Sequence, residues 1–190
     1  IFRNDVLRTD KQMGVFGETT FDLTDQFALT LGARYYDIEV DLKGSANSSF
    51  FNLGQTDDAQ RAGTNISAQF APNNTVGAPD KAATDGVIVK ATATWTPTTD
   101  YLFYATYSEG FRPGLLNRPG GTAGPNGFTV PFALDTDDVQ NYEFGWKTDL
   151  FDYAVRFNGA IFYSEIERLQ TTIFDPSITN LTFSDNAADA

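Results

Sequence analysis

The chain has 190 residues, with 25 acidic against 13 basic side chains, a formal net charge of −12, and neither cysteine nor histidine. This excludes a disulfide framework or a thiolate metal site, removes the commonest general base and metal ligand, and disfavours nucleic acid as a partner. No apolar run reaches the ~20 residues of a transmembrane helix, and the mean hydropathy of −0.29 is what strands with one polar face would also give.

In chain order, the first strand is predicted from about Gln12 to Leu23, with Val15, Gly17, Thr19, Phe21 and Leu23 on one face and Phe16, Glu18, Thr20 and Asp22 on the other. After Thr24-Asp25-Gln26, a second strand runs from Phe27 to about Leu42, with Leu29, Leu31, Ala33 and Tyr35 opposing Ala28, Thr30, Gly32, Arg34 and Tyr36. Strict period-2 alternation marks strands, and lengths of ten or more exceed the soluble mode of about 5–6. Residues 43–85 are polar and rich in Gly, Ser, Asn and Asp, with a possible short strand at Thr64–Phe70 and loop aromatics Phe50 and Phe51.

A second pair follows. Val87, Val89, Ala91, Ala93 and Trp95 alternate with Lys90, Thr92 and Thr94, and the return strand spans Tyr101–Arg112. In that return strand Tyr101, Phe103, Ala105, Tyr107 and Phe111 share the apolar face. The third pair is Val139–Thr148 and Tyr153–Arg168, and a seventh strand is expected to begin near Leu181. Within each pair the turn is tight, whereas the pairs are separated by long polar stretches. Transmembrane β-barrels show this asymmetry, with short periplasmic turns and long extracellular loops. Glu18, Arg34, Lys90, Glu143, Lys147 and Arg156 lie on the polar faces, where a dry core would reject them and a wet lumen accepts them. Aromatics beside the short turns (Phe21, Phe27, Trp95, Tyr101, Phe144, Trp146, Tyr153) match an interfacial girdle. The fold class is therefore all-β, an antiparallel transmembrane β-barrel segment of about six to seven strands. That is fewer than the eight or so of a closed single-chain barrel, so the chain is expected to be part of a larger one.

Tyr101-Leu102-Phe103-Tyr104-Ala105-Thr106-Tyr107-Ser108-Glu109-Gly110-Phe111-Arg112-Pro113-Gly114 resembles the YxxYSxGFRP-like run of TonB-dependent outer-membrane receptors. Val139–Leu150, Val155–Tyr163 and Phe27–Tyr36 are similar to further strands of that family, in its order. The resemblance implies a 22-stranded barrel of the kind with a plugged lumen, of which residues 1–190 would be one part, with the plug domain outside this chain. It also implies active uptake of a scarce solute, such as a ferric siderophore, across the outer membrane of a Gram-negative bacterium. The implied partners are a TonB-type energy-coupling protein acting through the plug, an iron chelate as small-molecule substrate, and the lipopolysaccharide and phospholipid of the membrane. A passive porin-like channel, or a soluble secreted β-sheet binding protein, are the alternatives.

Neither a catalytic constellation nor a cofactor or metal motif is present: Asp57-Asp58 and Asp137-Asp138 lack an EF-hand pattern and read as solvated loop charge. The candidate substrate contacts are Arg112, Asn117, Arg118 and Phe128, at the strand mouth and in the loop beyond it. Arg112 has two readings, an anion contact or a structural partner for a lumen acid; loop packing is the alternative for Phe128.

Overall fold

The structure is a computed structural model that describes residues 2–48, 81–117, 120–121, 123–178 and 182–186. Six strands form one antiparallel sheet in sequence order: β1 (Phe2–Thr24), β2 (Phe27–Ser48), β3 (Lys81–Thr98), β4 (Tyr101–Arg112), β5 (Asp137–Leu150) and β6 (Val155–Glu167). Two short strands, β7 (Gln170–Ile173) and β8 (Phe183–Asn186), pair only with each other. The sheet is open, with β1 and β6 as its edges. The possible strand at Thr64–Phe70, like Phe50 and Phe51, lies outside the described residues.

Register carries the predicted faces across all the strands. One row of partners reads Phe27, Trp95, Phe103, Trp146, Gly159; the next reads Leu29, Ala93, Ala105, Phe144, Ile161; a third reads Leu31, Ala91, Tyr107, Tyr142, Tyr163. Cross-strand partners share a face, so these rows stack into one apolar surface. Its large side chains are exposed, including Val15, Trp95, Phe144 and Ile161. A contiguous apolar patch of this size marks a surface built to meet lipid or a partner.

The opposite face is a polar ladder. Thr20 and Thr30 share a hydrogen bond, as do Thr92 and Thr106; the Tyr104 hydroxyl donates to Glu143 Oε1 at 2.5 Å, and Lys90 donates to Glu18. Three aromatic rings lie over their cross-strand glycines: Tyr36 over Gly86, Tyr104 over Gly145, and, on the outer face, Trp146 over Gly159. A Cβ at Gly145 would sit 2.3 Å from the Tyr104 ring, so only glycine fits.

Three features differ from the sequence reading. First, β1 and β2 pair from Phe2↔Ser48 onward, well beyond the predicted start at Gln12; ladder hydrogen bonds persist above the span even where alternation weakens. Second, the expected seventh barrel strand is instead β8, which pairs with β7 outside the main sheet. Third, Phe111 does not share the outer face of Tyr107. It stacks on Tyr36 at 3.6 Å, beside the inner-face cluster of Tyr36, Ile38, Val40 and Ile88. The β3–β4 pairing stops at Lys90↔Ser108, and the Glu109 carboxylate takes the Val89 N–H at 3.0 Å. Released from β3, the end of β4 is free to turn Phe111 inward.

The short turns are tied into a rim. Thr96 N–H donates to the Gln26 carbonyl, Asp149 N–H to the Asp100 carbonyl, and the Tyr153 hydroxyl to Asp100 Oδ1. That last bond pushes the Tyr153 phenol above its ordinary value, because it stabilises the protonated form beside a carboxylate. The β5–β6 turn places Phe151, Asp152 and Tyr153 at positive φ, a conformation uncommon for side chains other than Gly.

Candidate functional site

At the opposite end from the rim, two extracellular loops fold onto each other. Residues 113–136 leave β4 and return to β5; residues 168–186 follow β6 and carry the β7–β8 pair. Val130, Leu134 and Phe183 are buried, and the Phe128 and Phe183 rings meet with centroids 5.9 Å apart. The first loop is closed by bridges Leu116↔Ala133 and Ala123↔Thr129 around a single 3-10 turn at Pro125–Gly127, where Asn126 and Gly127 adopt positive φ. Gly114 lets the chain pass close to the Leu134 carbonyl, which a Cβ would approach to 2.1 Å.

Polar side chains then fasten this cap. Asn117 is only 5 % exposed; its Nδ2 donates to the carbonyls of Pro131 and Ser184, and its Oδ1 accepts the Ser184 N–H. Asn186 Nδ2 donates to the carbonyls of Arg168 and Asp135, while its Oδ1 accepts the Asp135 N–H. At the junction with the sheet, Arg112 donates through Nε at 2.9 Å and through a terminal nitrogen at 2.5 Å to Asp137 Oδ2, and to the Gln170 carbonyl at 2.9 Å. Gln170 Nε2 in turn donates to the carbonyls of Pro113 and Asp135. Arg168 pairs with Asp138. In the second loop the Ser177 hydroxyl and N–H hold the Asp175 carboxyl below its ordinary value.

Among the sequence-derived candidates, Arg112 lies at the junction with half its side chain exposed, Asn117 is the buried fastener between the loops, and Phe128 packs in the cap. Arg118 lies outside the described residues. Asp137 and Asp138, read from sequence as solvated loop charge, are each paired with an arginine, and Asp137 is only 3 % exposed. Gln170, Ser184 and Asn186 were not singled out in the sequence. Their roles are bonds to backbone groups 18–67 positions away, which no local pattern signals. Among the described residues there is no group of three or more acidic side chains placed to hold a metal ion.

A family model described as TonB dependent receptor-like, beta-barrel, matches residues 3–190. No curated protein matches the chain. Among solved structures, the chain is similar to the ferric yersiniabactin uptake receptor FyuA from Yersinia pestis, with 19% identity and a TM-score of 0.59, over 87% of this chain and 21% of that one. It is also similar to the siderophore receptor PiuA from Acinetobacter baumannii, with 20% identity and a TM-score of 0.57, over 97% and 22% of the two chains. A third likeness is to the alcaligin outer membrane receptor FauA from Bordetella pertussis, at 17% identity and a TM-score of 0.54, covering 96% and 25%. The chain therefore spans between a fifth and a quarter of the length of the receptors it resembles, and the likeness to each is one of fold. With its open antiparallel sheet, apolar outer face and long loops at one end, the chain belongs to the TonB-dependent receptor family, within the β-barrel domain.

Proposed function

We propose that residues 1–190 form part of the barrel wall of an outer-membrane receptor that captures a scarce solute, such as a ferric siderophore, and takes it up actively. In this reading a TonB-type protein delivers the energy through a plug domain outside this chain, and the outer face rests against phospholipid and lipopolysaccharide. The observation that carries it, given the family, is the folded cap. Two extracellular loops share one core and are pinned to the end of β4 by Arg112, Asp137 and Gln170. A pre-organised surface lowers the ordering cost of capture, whereas a passive pore gains nothing from one.

Arg112 is the proposed anion contact. Its Nε and one terminal nitrogen are engaged with Asp137 and Gln170, and a guanidinium has five N–H donors, which leaves one terminal nitrogen for a carboxylate or ferric chelate. Asn117 and Phe128 hold the loop that would present Arg118. The test is uptake of radioiron-labelled chelates by cells with and without the gene for the complete protein. Uptake lost with the gene, and equally on removing the TonB-type protein, supports the reading. Uptake that persists without energy coupling, together with single-channel conductance of the purified protein, would replace it with a passive channel.

A further inference from the structure

The outer face carries a groove of about 580 Å3, within the ~300–1,000 Å3 range of small-molecule sites. Register explains it. In the row Leu29, Ala93, Ala105, Phe144, Ile161, two neighbouring strands contribute alanine, and Ala91 sits above Ala93. The rows below and above contribute Trp95, Phe103 and Trp146, and then Tyr107 and Tyr142. Small side chains inside a frame of large ones leave a depression, floored by methyl groups and walled by Leu29 and Phe144.

The extracellular end of the groove is polar in a regular way. Tyr107, Tyr142 and Tyr163 are cross-strand partners, and each hydroxyl donates two residues onward, to Glu109, Gln140 and Glu165. Those three acceptors are themselves partners in one row. No lysine or arginine lines the groove. A hydroxyl row at that level is where amphipathic rings meet lipid headgroups.

We propose that this groove is a binding site for one membrane lipid, with an acyl chain on the alanine floor and an ammonium-bearing zwitterionic headgroup against Glu109 and Glu165. The apolar floor is continuous with the face that meets lipid in this family's barrels. The headgroup follows from charge: two carboxylates without a basic neighbour in the row favour a cation over a phosphate, and an ammonium supplies three donors. The site is independent of the solute and of its energy source.

The test uses native mass spectrometry of the complete protein, purified in detergent and titrated with phosphatidylethanolamine or phosphatidylglycerol. The expected result is one retained phosphatidylethanolamine per protein, held at least fivefold better than phosphatidylglycerol. Ala105→Leu, which fills the groove with apolar volume, should cut retention at least fivefold, while Thr19→Leu, on the same face outside the groove, should not. Glu109→Gln with Glu165→Gln should erase the headgroup preference and leave acyl retention. Equal retention in Ala105→Leu, or a preference for phosphatidylglycerol with or without calcium, would overturn the proposal.

Discussion

Asn117 in one extracellular loop grips both backbone groups of Ser184 in the other: Nδ2 donates to the Ser184 carbonyl at 2.7 Å, and Oδ1 accepts the Ser184 N–H at 2.8 Å. The two residues are 67 positions apart, so this pair makes one unit of two loops. Leaving a buried donor or acceptor unsatisfied costs about 1–3 kcal/mol per group. Asn117→Ala should therefore loosen the cap by roughly 2–4 kcal/mol while the barrel still assembles, since no sheet contact is touched. Limited proteolysis should show faster cleavage within residues 113–136 and 174–182 together. Cleavage confined to one loop would mean that the loops are not coupled.

The Arg112–Asp137 pair makes a sharper case about the junction. Asp137 is buried and Arg112 half exposed, so the pair lies between the weak surface class and the fully buried one. Asp137→Asn and Arg112→Ala should each cost about 1–3 kcal/mol. Combined, they should cost less than the sum, because the second change removes a partner already lost. Urea unfolding of the four proteins of the cycle gives the coupling directly; strict additivity would show that the pair contributes nothing in solution.

Gly145 predicts a steric effect inside the wall. The Tyr104 ring lies over it and is anchored by its hydroxyl on Glu143. Gly145→Ala forces the ring away and should cost about 1–3 kcal/mol, the usual range for overpacking. Gel-shift assembly yield should fall, and Tyr104→Ala in the same protein should restore it. A Gly145→Ala barrel that assembles normally would remove the steric argument.

The faces differ in what they tolerate. Leu31→Arg places a charge on the lipid-facing side, where it costs about 2–4 kcal/mol at mid-bilayer, and should suppress heat-modifiable barrel. Lys147→Ala, on the inner face, should leave the yield unchanged. The opposite pair of outcomes would mean that inside and outside are exchanged.

A pH effect is confined to the second extracellular loop. The Asp175 carboxyl lies below its ordinary value near 3.8 because the Ser177 hydroxyl and N–H stabilise its charged form. A depressed folded value stabilises the turn above the unfolded value, and that contribution is lost as pH falls from there through the folded value. Amide exchange at Ser177 should thus quicken below about pH 3.8, and Ser177→Ala should remove most of that dependence.

The wall was legible because alternation is local. Val15 to Leu23, or Tyr101 to Tyr107, state their faces without reference to any neighbour, and register merely aligns them. Phe111 was misread because its face depends on where β3 stops pairing with β4, which the Glu109 carboxylate decides by taking the Val89 N–H. The tyrosine row at the extracellular end was also missed: Tyr107, Tyr142 and Tyr163 become a row only once three strands are aligned. In the cap, Arg112 was found through a sequence motif, whereas Gln170 and Ser184 act through distant backbone partners.

The most direct measurement exploits the absence of cysteine. Single cysteines placed one at a time from Leu102 to Ser108 in the complete protein, and labelled with an environment-sensitive fluorophore in bilayers, report which side of β4 each residue faces. Residues 103, 105 and 107 should be quenched by brominated lipid and 102, 104, 106 and 108 by aqueous iodide, alternating at every step. Uniform quenching by one agent, or the reverse phase, would contradict the reading of this chain as a wall between lipid and water.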